Sequence, residues 1–169
     1  MAYRTKTYLA GDWTGDKNAI DQLHKWNNSE YWGLSFNDAH DITQANDGSL
    51  NCSIKVSLAT RLDVSKTFVL VIGNSTNTRR AGGCNYCSYY SYGKCSRGHS
   101  VSNKSYIEYE CDKAIRDGLK IVVLYNAAKV DKSKCLDAVK NIGTHAPMQR
   151  IENGTRYWDY QSVKKALEV

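Results

Sequence analysis

Two stretches decide the fold: TFVLVIGNSTNTRR at 67–80 and SYIEYECDKAIRDGLKIVVLY at 105–125. Each holds a continuous run of β-branched and apolar residues, 68–72 and 121–125. Such runs mark strands of a parallel sheet covered on both faces. Between them lies a Cys- and Tyr-rich insert at about 79–104. After the insert Ser105 is placed to cap a helix whose apolar face is Ile107, Cys111, Ala114 and Ile115, with Gly118 as its stop. That helix carries two acids, Glu108 and Glu110. In an α/β sheet, ligands sit beyond the carboxyl ends of the strands, where loops meet helix starts. A carboxylate there is well placed for chemistry. Helical periodicity leaves both glutamates flanking the apolar face and does not choose between them.

Working outward, KTYLA at 6–10 reads as a first strand and YWGLSFN at 31–37 as a second. Between them Asp16 opens a helix through about Asn27, with Ile20, Leu23 and Trp26 inward. The polar stretch 38–48 reads as a long loop, of the kind that carries function in compact domains. Ser49 then caps a helix in which Leu50, Ile54, Leu58 and Leu62 recur every four residues. Beyond 125, Asp131 or Ser133 opens a helix with Cys135, Val139 and Ile142 on one face. A short strand at 147–151 and a terminal helix capped by Asp159, with Val163 and Leu167 inward, complete the chain. Strict alternation predicts an α/β, flavodoxin-like three-layer fold: a parallel sheet of about five strands with helices on both faces. No boundary or repeat divides the chain, so a single domain over 1–169 is expected.

Composition narrows the class. Hydrophobic residues make up 41% and charged residues 24% of 169 residues, ordinary values for a soluble globular protein. No apolar run approaches the ~20 residues of a membrane span, and the first residues lack the apolar stretch of a signal peptide. A cytoplasmic protein without membrane partners is expected. The formal net charge of +6 is spread along the chain, which speaks for a solvated basic surface, or a small phosphate-bearing partner, over a nucleic-acid footprint. Six cysteines without a secretory signal do not read as a disulfide framework. Cys52, Cys111 and Cys135 fall in helical patterns as small buried hydrophobes. His24, His40 and His145 have no triad spacing.

The chain lacks G-x-G-x-x-G after its first strand, G-x-x-x-x-G-K-[ST], and G-x-S-x-G. What it has is an ordered set of short signals: YLAGDW ending the first strand, SFNDAHD near the second, VIGNSTNTRR ending the third, and YECDKA ahead of GLKIVVLY. This set resembles the TIR-like family of bacterial defence proteins, particularly the TIR-like subunit of the Thoeris antiphage system. There the third strand ends in Gly-x-x-Thr-x-x-Arg and is followed by an aromatic-Glu-apolar-x-x-Ala helix. The matching positions are Gly73, Thr76 and Arg79, then Tyr109, Glu110, Cys111 and Ala114. The resemblance covers most of the chain outside the insert, and its specificity lies in the order and spacing of the motifs.

The resemblance implies an enzyme that breaks the nicotinamide–ribose bond of NAD, making ADP-ribose or a cyclic or conjugated messenger. It implies a phage-derived trigger, a separate effector that reads the product, and possible homo-oligomers. Its register selects Glu110 as the catalytic acid. The chemistry agrees: N-glycosidic cleavage passes through an oxocarbenium-like state that a nearby carboxylate stabilises. Nicotinamide leaves from a nitrogen that is already cationic, so no general acid is required. Asp12 and Trp13 follow the first strand, where the family lines its nucleotide site. Asp38 closes the second strand and has a competing reading as a loop acid capping its own backbone. Asn74 and Thr76 are placed for ribose hydroxyls, and Arg79, with Arg80, for phosphates.

The insert departs from that family pattern. Cys84, Cys87, Cys95 and His99 form C-x2-C-x7-C-x3-H, four donors of the kind tetrahedral zinc takes, at a non-standard spacing. The alternatives are free thiols in a loop, or a lid in which Tyr86, Tyr89, Tyr90 and Tyr92 stack on a ligand ring. Two further functional readings stand beside NAD cleavage: a non-catalytic TIR-like interaction module, and a zinc-bearing nucleic-acid binder.

Overall fold

The computed structural model describes residues 3–34, 36–38 and 50–169. Strands β1 (Lys6–Ala10), β2 (Ser65–Ile72), β5 (Lys120–Tyr125) and β6 (Thr144–Pro147) form one parallel sheet in the order β1-β2-β5-β6. Helices α1 (Lys17–Asn27), α2 (Asn51–Asp63), α3 (Tyr106–Arg116) and α4 (Tyr160–Glu168) cover it. Alternation along β2 builds the three layers. Phe68, Leu70 and Ile72 pack with Tyr8, Leu62, Ile107, Cys111 and Ala114, beneath α2 and α3. Val69 and Val71 pack with Ile20, Leu23, Trp26, Met148 and Val163, beneath α1 and α4. Successive side chains of a strand point to opposite faces, so a strand covered on both sides is apolar at every position. That is why 68–72 reads as an unbroken run.

The expected second strand at 31–37 does not form among its described residues. Asp38 alone makes a parallel bridge, to Thr7 on the free edge of β1, supported by the Thr7 N–H donating to the Asn37 carbonyl at 2.6 Å. A flavodoxin-like order places its second strand there, here reduced to one bridge. Local hydrogen bonds explain the reduction. The Asn27 side chain accepts from the Phe36 N–H and donates to the Phe36 carbonyl, both at 2.9 Å. Ser29 Oγ accepts from the Tyr31 and Trp32 N–H groups at 3.2 and 3.3 Å. Such side chains offer the backbone an alternative to a ladder.

The helix expected from 131 stops after one capped turn. Asp131 accepts from the Ser133 N–H at 3.1 Å and its hydroxyl at 2.6 Å, capping a single 3-10 turn, Lys132–Lys134, with Cys135 extended. Cys135 and Val139 are still buried, but Ile142 is exposed. The strand expected at 147–151 divides. Its first residue, Pro147, ends β6 in the main sheet, while β7 (Gln149–Glu152) pairs antiparallel with β8 (Thr155–Trp158) around Asn153-Gly154, both at positive φ. In α2 the expected cap Ser49 lies outside the described residues, and Cys52 is only half-buried. Ile115, expected inward, is exposed on α3.

Helix α3 starts as the sequence predicts. Ser105 Oγ accepts from the Glu108 N–H at 3.2 Å while Glu108 Oε2 accepts from the Ser105 N–H at 2.8 Å, a complete capping box. Glu108 is therefore occupied in starting the helix. Ser105→Ala is expected to cost about 1 kcal/mol. It should lower the thermal midpoint by about 2–4 °C in a chain of this size, measurable by circular dichroism.

Candidate active site

The loops after β1 and β2 and the first turns of α3 enclose a cavity of about 280 Å³. Glu110 forms its acidic wall, with Tyr8, Asp12, Trp13, Arg61 and Arg79 around it. Ile54 and Leu58 of α2 and Ile107 of α3 supply an apolar side. The four-residue stripe on α2 thus serves the cavity as well as the core, in which only Leu62 of that stripe is fully buried.

Glu110 is 7% exposed and accepts a hydrogen bond from Tyr8 Oη, donated from the middle of β1 on the sheet face that α3 covers. Burial raises its pKa from the ordinary 4.5 to about 7, against the opposing Tyr8 hydrogen bond and the nearby Arg61 charge. Burial and the Glu110 charge together push the Tyr8 phenol well above its usual range, so Tyr8 stays a donor. A carboxylate balanced near neutrality in a cleft is a mark of functional sites.

Asp12 behaves oppositely. Burial pushes its pKa up, but hydrogen bonds from the Gly15 N–H, Arg79 and the Thr14 N–H outweigh this and hold it below the usual range. Arg79 Nε and Nη2 stand 2.8 and 2.7 Å from Asp12 Oδ2. The Arg79 side chain is 44% exposed, so its guanidinium reaches the mouth of the cavity. Trp13 lies at the same mouth, exposed.

Other expected site residues lie elsewhere. Thr76 is 1% exposed; its hydroxyl accepts from the Gly73 N–H at 2.8 Å and stands 3.5 Å from Asp16 Oδ2. Asp16 makes no cap bond for α1 and is instead held by Asn126 Nδ2 at 2.9 Å. A Cβ at Gly73 would lie 1.9 Å from Asp16 Oδ1, so glycine there is what lets β2 end against this carboxylate. Gly73, Thr76 and Asp16 are scaffold for the strand-end loops. Asn74 accepts from Lys134 Nζ at 2.7 Å, and Asp38 faces His24 at 3.4 Å; neither lines the cavity. His145 binds Tyr125 through Nδ1 at 2.9 Å, a structural position, and His40 lies outside the described residues. Glu108 and Arg80 line a different, polar groove of about 870 Å³.

Tyr8, Arg61 and Tyr106 were not singled out from the sequence. For Tyr8 a signal exists: a tyrosine in a strand covered on both faces needs a partner for its hydroxyl. For Arg61 and Tyr106 no local pattern points to the cavity.

This is an α/β protein of flavodoxin-like strand order, with a buried carboxylate of raised pKa beyond the carboxyl ends of its parallel strands. Residues 6–81 match the family model described as Thoeris protein ThsB, TIR-like domain, so over that stretch the chain is similar to the TIR-like domain of the Thoeris family. The matched segment includes Asp12, Trp13 and Arg79 and ends at the start of the insert, before Glu110. No curated protein matches the chain. Among the described residues, no helix is long and apolar enough to cross a membrane.

Proposed function

We propose that this protein cleaves the nicotinamide–ribose bond of NAD and so makes an ADP-ribose-derived signalling nucleotide in antiphage defence. The observation that carries this reading is Glu110, a buried carboxylate that shares one cavity with Asp12, Trp13 and Arg79. The cavity volume of about 280 Å³ falls just below the span of sites for drug-sized ligands, roughly 300–1,000 Å³. It suits the nicotinamide ribose end, with the remainder of the dinucleotide over the exposed mouth.

The C1′–N bond breaks with its electron pair leaving on nicotinamide, and positive charge develops across C1′ and the ring oxygen. The Glu110 carboxylate stabilises that charge in a site of low dielectric. A water that adds to C1′ and loses a proton gives ADP-ribose; a hydroxyl or ring nitrogen of the substrate or of a second molecule gives a cyclic or conjugated product. Arg79 is the phosphate-facing cation and Trp13 the stacking surface. A phage-derived trigger sets the reaction off, and a separate effector protein reads the product.

The test is mass spectrometry of the chain incubated with NAD, alone and in lysate of phage-infected cells. Release of nicotinamide from wild type and not from Glu110→Gln supports the reading. Untouched NAD in every condition would sink it and leave an interaction module. Arg79→Ala is expected to raise KM roughly tenfold or more with kcat little changed, as for loss of one charge-assisted hydrogen bond to a bound phosphate.

A further inference from the structure

Residues 85–104 contain not one buried side chain, yet they fold into defined turns and a hairpin. A 3-10 turn at Cys84–Tyr86 closes with the Cys87 N–H donating to the Cys84 carbonyl at 2.9 Å. Strands β3 (Tyr90–Ser91) and β4 (Lys94–Cys95) pair with Tyr90 opposite Cys95. A further turn, with the Gly98 N–H donating to the Cys95 carbonyl at 3.0 Å, carries His99. A segment this small with no apolar core needs a staple. It is not a disulfide, since all six cysteines are free.

The donors border a common cavity. Cys84, Cys87, Cys95 and His99 line one small apolar cavity of about 10 Å³, and Cys52 reaches it from α2. The Ser102 N–H donates to Cys84 Sγ at 3.3 Å, the kind of outer bond that orients a thiolate ligand. The cavity also abuts a firm anchor. Asn51 Nδ2 donates to the Gly83 carbonyl at 3.0 Å, and Lys55 Nζ to the Ser102 and Lys104 carbonyls at 3.2 and 2.7 Å.

We propose that the insert is a structural zinc module. Cys84, Cys87 and Cys95 are its thiolate ligands, and the fourth is His99 or Cys52. Among the described residues no three such side chains meet in coordinating contact as they stand. Binding therefore requires these donors to move inward around the cavity they already share, and releases the thiol protons to solvent. The module fastens the insert to α2, whose Ile54 and Leu58 wall the Glu110 cavity.

The experiment uses the full chain, expressed with zinc, dialysed, and analysed for metal. About one zinc per chain is expected, with at least about a tenfold lower content in a Cys87→Ser/Cys95→Ser double variant that keeps its helical circular dichroism. Should that variant fail to fold, wild type loaded with cobalt(II) decides: thiolate-to-cobalt charge transfer with tetrahedral d–d bands supports the site. The cobalt spectra of His99→Asn and Cys52→Ser then show which residue supplies the fourth ligand. Zinc-free wild type whose insert thiols react with Ellman's reagent and which shows no cobalt spectrum overturns the proposal. So does a disulfide found by mass, or undiminished zinc in the folded double variant. None of these readouts depends on NAD cleavage.

Discussion

Glu110→Gln is expected to lose NAD cleavage and, at the same time, to make the protein more stable above neutral pH. The loss follows from charge. Glutamine keeps the shape and can still accept the Tyr8 hydrogen bond, but it cannot balance a developing cation, and a fall in kcat of roughly a hundredfold or more is expected. The gain follows from linkage. The folded-state pKa of Glu110, about 7, lies above the ordinary 4.5, so between these values the folded chain binds the proton that the unfolded chain releases. The stability contributed by the neutral acid is full below 4.5 and is lost as pH rises through 7. A shift of that size corresponds to about 3 kcal/mol. Glutamine is neutral at every pH, so urea denaturation should show the variant more stable by up to about that amount at pH 8. The two proteins should converge toward pH 4.5. A variant destabilised at pH 8 would mean that Glu110 is paired more favourably than its burial implies.

Tyr8→Phe provides the second large effect, and its signature is a displaced pH profile. Cleavage requires the ionised carboxylate, so wild-type kcat/KM should rise with an apparent pKa near 7. The Tyr8 hydroxyl favours that ionised form, and a hydrogen bond to a charged group contributes about 1.5–3 kcal/mol. Its removal should move the rising limb upward by about 1–2 pH units. Activity near neutrality would fall about tenfold or more and largely return at higher pH. Tyr8 is thereby a positioning residue acting through Glu110. A pH-independent loss would instead assign it a packing role, since it is also fully buried in the sheet.

Much of the architecture was legible in the chain itself. The runs at 68–72 and 121–125 became adjacent central strands, paired Phe68 to Ile121 through Ile72 to Tyr125. Ser105 became the cap of α3, and Asp159 the cap of α4, accepting from the Ser162 N–H at 3.1 Å. These are local signals: a strand covered on both faces must be apolar throughout, and a helix start needs an acceptor for its free N–H groups. The failures were also local in origin but hidden in composition. Asn27 spends its side chain on nearby backbone, and that diverted 31–37 from a full strand, while the turn that Asp131 caps ends where Cys135 becomes extended.

The strand order and the position of α3 therefore belong to the sequence, as does the narrowing of the chemistry to two neighbouring glutamates and, by family register, to one. Which glutamate is buried was a matter for the tertiary structure. Glu108 turns back to the start of its own helix, while Glu110 meets a tyrosine 102 positions away in the chain. The same holds for Thr76, which the chain presented as a ribose ligand and the fold uses to hold a strand end. Periodicity reports only which side of an element faces inward. Burial, and with it the pKa of a carboxylate, is set jointly by every element packed around the group, and those elements come from distant parts of the chain.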